Sequence, residues 1–113
     1  MSRKRIIKTS AEHWPYHNTG TVEELTKRRR MQMLVHSCLY YEMDESIIPD
    51  ETYDRWAKEL ADLLPRSTYT DRFDQYFKDW DGSTGMHLPL RDPWVFDRAS
   101  MLLNQHNRGT NWR

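Results

Sequence analysis

Several things are missing from this chain, and each absence removes a class of protein. It has a single cysteine, Cys38, so no intrachain disulfide can form and a reducing cytoplasm is expected. The thiol falls in an apolar helical stretch, where a buried inert sulfur is expected rather than a nucleophile. No apolar run approaches the roughly 20 residues of a membrane span, and the basic start MSRKRIIK lacks the apolar stretch of a signal peptide. Formal net charge is zero, so no overall field draws the chain to nucleic acid or to a membrane.

What is present is aromatic and unevenly charged. Hydrophobic content is 37%, and five Trp and six Tyr must supply much of the apolar area, so the core is expected to be thin and ring-rich. The 113 residues suit one domain. Residues 1–30 carry a net charge of +5 and residues 42–81 a net charge of −7, which makes the chain a dipole.

Residues 1–20 keep no sustained period and contain Pro15 and Gly20, which predicts a basic, flexible arm ahead of one helical domain over 21–113. Thr21 followed by Glu24 is a capping box and starts a helix over about 21–43, with Met31, Leu34, Cys38 and Tyr41 at helical spacing. DESIIPD breaks it. Asp50 is expected to cap a second helix over about 50–64, with the stripe Tyr53, Trp56, Ala57, Leu60, Leu63 and Leu64 closed by Pro65. A third helix is predicted from near Thr70 through Phe73, Tyr76, Phe77 and Trp80. A fourth opens at Asp92-Pro93, carries Val95, Ala99, Leu102 and Leu103, and ends at Gly109. Nothing alternates with period two for long enough to argue a sheet. The fold class is therefore all-α: an antiparallel helical hairpin plus two further helices.

The chemistry concentrates at the hairpin turn. Tyr40-Tyr41, Met43-Asp44, Ile48-Pro49-Asp50, Tyr53-Asp54-Arg55 and Glu59-Leu60 follow one another with fixed spacing. This pattern, within residues 31–64, resembles the N-terminal Ia subdomain of bacterial NAD-dependent DNA ligases. That module recognises the nicotinamide mononucleotide (NMN) half of NAD. The resemblance implies that Tyr40 and Tyr53 stack on the pyridinium ring, that Asp50 and Asp54 bind the ribose hydroxyls and carboxamide, and that Tyr41 stands near the phosphate. It also matches His36 to a histidine one turn earlier. Small stand-alone proteins of this look are phage-type, which implies a viral accessory protein in the host cytoplasm.

Elementary chemistry points the same way. An oxidised nicotinamide ring is cationic and favours an electron-rich aromatic face, worth roughly 0.5–2 kcal/mol depending on desolvation. Asp50, Tyr53 and Asp54 lie at spacings 0, 3 and 4 on one helical turn and share a side. The bland reading is an aromatic core between two helices, with Asp50 as an ordinary cap and Asp54 as an acid favoured by the helix dipole.

Catalysis is not expected. Ligase adenylation needs Lys-x-Asp-Gly, whereas KDWDG, Lys78 to Gly82, sets the lysine one residue too far away, and no adenylation domain follows. No cofactor is required, and NMN or NAD is the expected ligand. A second reading is a protein-interaction module that engages a host nucleic-acid enzyme or defence protein through the acidic face of 42–81. A third is nucleic-acid binding by the basic arm and by Lys27, Arg28, Arg29 and Arg30, a block that otherwise reads as a solvated face. DGSTG is expected to be a tight turn rather than a phosphate loop. His13 and His17 read as a surface pair, His87 and His106 as isolated, and no metal site is expected.

Overall fold

The computed structural model describes residues 20–111. The predicted N-terminal arm, with Trp14, Tyr16 and the His13/His17 pair, lies outside the described residues. Four α-helices and no strand make up the described part, so the fold is all-α: α1 Val22–Glu42, α2 Asp50–Leu63, α3 Asp74–Phe77 and α4 Pro93–Asn111. A single 3₁₀ turn, Leu64–Arg66, carries Pro65 and follows α2 directly.

The start of α1 is the predicted capping box. Thr21 Oγ1 accepts from the Glu24 N–H at 3.1 Å and Glu24 Oε1 accepts from the Thr21 N–H at 3.0 Å. Its end is fixed by Asp44, which adopts the left-handed φ of 54°. A short polar side chain tolerates that region better than most. The reversal lets the Glu45 N–H reach back to the Leu39 carbonyl at 2.9 Å, and α2 begins at Asp50 after the connection 43–49.

Asp50 does not cap α2. Pro49 is the N-cap, with no side-chain hydrogen bond, and Asp50 is the first helical residue. The proline already holds the extended backbone that a cap needs, with φ −63° and ψ 153°, which leaves the Asp50 carboxylate exposed.

α1 packs against both α2 and α4, and the core between them holds Met33, Leu34, Cys38, Leu39, Ala57, Leu60, Val95 and Ala99. Burial pushes the Cys38 thiol above its ordinary value, as an inert core sulfur requires. The aromatic stripe of the third segment is in the core as well, with Phe73, Phe77 and Trp80 buried.

The helix predicted there is cut to four residues. Around it the N–H groups of Asp74, Tyr76 and Trp80 bond three positions back, to the carbonyls of Asp71, Phe73 and Phe77 at 3.1, 2.9 and 3.2 Å, so the segment is a series of tight turns around a single α-helical turn. At α4 the signal reads true. Asp92 Oδ1 accepts from the Trp94 N–H at 3.0 Å, and Pro93 occupies the first helical position. The helix then runs through Gly109 to Asn111, past its predicted end.

Half of the basic block is buried, while Lys27 stays exposed. Arg29 is 2% exposed; its Nε donates to Glu59 at 2.7 Å and its guanidinium lies over Trp56. Arg30 bridges Asp71 and Asp74, each at 2.7 Å, between the rings of Tyr69 and Phe77. Position 29 binds α1 to α2, and position 30 binds α1 to the α3 segment. Both are thereby withdrawn from the phosphate contacts expected of Lys27 to Arg30. His87 Nε2 meets the Tyr76 carbonyl at 3.0 Å and its ring lies against Trp80.

Candidate ligand cleft at the hairpin turn

The last turn of α1, the 43–49 connection and the first turns of α2 enclose a cleft of about 240 Å³. His36, Tyr40, Tyr41, Asp50, Tyr53 and Asp54, the six residues to which the resemblance assigns roles, all line it. The hairpin brings them together because Asp44 turns the chain back tightly enough to set the end of one helix beside the start of the next.

The rings differ in their freedom. Tyr40 is 54% exposed and packs nearly perpendicular to Tyr41, ring centroids 4.9 Å apart. Tyr41 reaches across to Thr84, hydroxyl to hydroxyl at 3.3 Å. Tyr53 is half-buried and its hydroxyl shares a 2.7 Å hydrogen bond with Ser37 of α1. Burial raises the Tyr53 phenol above its ordinary value, against the lowering effect of the Ser37 bond. It is therefore a neutral, fixed ring at neutral pH.

His36 is neutral too. Burial against Trp56, ring centroids 5.6 Å apart, brings its pKa down to about 4, so it carries no charge into the cleft at pH 7. The ionised groups among the lining residues are the exposed carboxylates of Asp50 and Asp54. Among the described residues that line the cleft there is no Lys or Arg. The field inside is thus negative, with aromatic faces beside it, an arrangement that attracts a flat cation and repels an anion.

The apolar residues Leu39, Ile47 and Ile48 complete the lining, with Ser46 and Ser83. Ile47 and Ile48 lie in a stretch whose sequence reads only as a helix breaker. Ser83 lies in DGSTG, which is a turn, as its sequence suggests, with Gly82 at φ +84°; that this turn closes a cleft otherwise lined by residues between 36 and 54 left no local signal. No cluster of His, Cys, Asp and Glu among the described residues is arranged to hold a metal ion, and no described helix is long and apolar enough to cross a membrane.

The fold and the cleft define a small helical module in which a hairpin presents rings and carboxylates at its turn. Residues 19–67, a little under half of the chain, match the family model described as DNA ligase-like, N-terminal NAD+-binding domain. The match supports the ligase Ia resemblance read from 31–64, extends it in both directions, and holds α1 and α2 whole. No curated protein and no solved structure matches the chain.

Proposed function

We infer that the cleft binds the nicotinamide end of NMN or NAD, and that the chain acts through this binding and not as a catalyst. One observation carries the reading: the faces of Tyr40 and Tyr53 and the carboxylates of Asp50 and Asp54 line one cleft whose imidazole, His36, is uncharged. A positively charged heterocycle finds there a stacking face and a counter-charge together. The volume of about 240 Å³ falls below the roughly 300–1,000 Å³ of sites that enclose a drug-sized ligand. That suits a single ring with its ribose, the phosphate lying toward solvent.

The matched family is described by NAD+ binding, which supports the same ligand class. The competing interaction module loses support from the ion pairs. Glu42, Glu59, Asp71 and Asp74, four of the twelve acids of the stretch, are engaged by Arg91, Arg29 and Arg30, so a third of those acids are already paired within the fold.

The test is a thermal-shift series with NMN, NAD, nicotinamide and ADP-ribose, because a ligand that binds only the native state raises the melting temperature by mass action. NMN and NAD are expected to raise it and ADP-ribose to leave it unchanged. Asp50→Asn, an exposed change that breaks no cap, is expected to reduce the NMN shift without moving the ligand-free melting temperature. Equal shifts from NMN and ADP-ribose would assign recognition to phosphate and overturn the reading.

A further inference from the structure

We propose that the Asp81–Gly85 loop is a built-in wall of the nicotinamide cleft and that the Ser83 hydroxyl contacts the bound ligand; this rests on the ligand class inferred above. The loop lies outside residues 19–67, so the chain completes the cleft with a segment beyond its ligase-like portion.

Three contacts seat the loop. Gly85 lies so close to the Ser37–Tyr53 hydrogen bond that a Cβ there would collide with Ser37 Oγ and stand 2.6 Å from the Tyr53 hydroxyl. A Cβ on Gly82 would come within 3.1 Å of the Ala57 carbonyl oxygen, which also accepts from Trp80 Nε1 at 3.0 Å. Tyr41 meets Thr84 at 3.3 Å. Both helices of the hairpin therefore hold the loop in place, which makes it a fixed wall.

Ser83 is the loop residue that faces the cavity. Its hydroxyl donates to Asp81 Oδ1 at 2.7 Å, and its backbone N–H donates to the same oxygen at 2.9 Å. With that proton committed, Oγ presents lone pairs to the cleft. It can accept from a carboxamide N–H or a ribose O–H and has nothing to donate to a phosphate. Asp50 and Asp54 are acceptors as well. With two carboxylates and the Ser83 oxygen as acceptors among its lining, the cleft favours a donor-bearing cation and disfavours an analogue in which a carboxylate replaces the carboxamide.

The experiment is calorimetric titration of the full chain, and of its Ser83→Ala and Ser83→Leu variants, with NMN and with nicotinic acid mononucleotide. Ser83 is exposed, and the melting temperature of each variant verifies that it remains folded. The unaltered chain is expected to prefer NMN at least about tenfold, because the carboxylates of Asp50 and Asp54 repel that of the analogue. Ser83→Ala is expected to weaken NMN about three- to tenfold, the range of one lost hydrogen bond, and to narrow the preference. Ser83→Leu, which intrudes on the cavity, is expected to weaken it more than Ser83→Ala does. NMN binding of equal strength in all three proteins would overturn the wall and leave the nicotinamide reading standing. No NMN binding by the unaltered chain would overturn that reading, and this inference with it.

Discussion

Ser37 and Tyr53, sixteen positions apart, share a 2.7 Å hydrogen bond that links α1 to α2 beneath the cleft, and Gly85 is packed directly against it. Fold and site meet at this point, since the bond that orients a cleft-lining ring also joins two helices and receives the loop.

Removing the bond should therefore cost stability. Tyr53→Phe leaves the buried Ser37 hydroxyl without its partner and is expected to destabilise by about 1–2 kcal/mol. Gly85→Ala forces a methyl group against both hydroxyls and is expected to cost about 1–3 kcal/mol, the usual penalty of overpacking. Urea denaturation of each variant checks both values, and unchanged midpoints would mean that the loop yields easily.

A charge test separates ring recognition from mere shape. Reduction of the nicotinamide removes its positive charge while keeping its size. Oxidised NMN is expected to bind about 3- to 30-fold more tightly than the reduced form, the range that a cation–π contact supplies. Calorimetry with the two forms measures the ratio, and equal affinities would refute a role for the charge.

His36 predicts a pH dependence whose sign follows from its burial. Its folded pKa is about 4 against an unfolded value near 6.5, so between those values the unfolded chain binds the proton and the folded chain does not. Stability is complete above about pH 6.5 and falls as the pH drops toward 4, by on the order of 2 kcal/mol at about 1.36 kcal/mol per pKa unit with allowance for residual exposure. Denaturation midpoints of the unaltered chain and of His36→Gln between pH 7 and pH 4.5 check this. The variant should show a flatter profile.

Arg30 should behave as a core residue and not as a surface charge. Arg30→Met removes a buried cation from between Asp71 and Asp74 and is expected to destabilise by about 3 kcal/mol, because the facing carboxylates are left repelling each other. Lys27→Met, at an exposed position, is expected to change stability by less than about 0.5 kcal/mol. Equal effects at the two positions would refute the distinction.

The capping box offers a local control. Thr21→Ala removes the oxygen that accepts from Glu24 and is expected to cost about 1 kcal/mol, read as a lowered thermal midpoint. Affinity for NMN should be unchanged, since Thr21 lies at the opposite end of α1 from the cleft.

The amino-acid sequence by itself determined much of what depends on neighbours a few positions apart, although two local signals, the Asp50 cap and the Gly109 stop, did not hold. The capping box at Thr21, the Asp92-Pro93 start of α4, the helical spacing of the hairpin and the grouping of Asp50, Tyr53 and Asp54 on one turn are properties of a local period, and any helix would display them. Tertiary structure decided what local period cannot encode. The charges at Arg29 and Arg30 read as solvent-facing until Glu59, Asp71 and Asp74, 30 to 44 positions away, are seen to enclose them. The aromatic stripe of residues 73–80 read as a full helix, but its rings pack into the core from a run of tight turns around one α-helical turn. The turn at 81–85 became a wall only because a glycine's missing side chain lets the backbone settle against a hydrogen bond between two distant helices. Contacts of that kind are set by packing in three dimensions and leave no repeat in one.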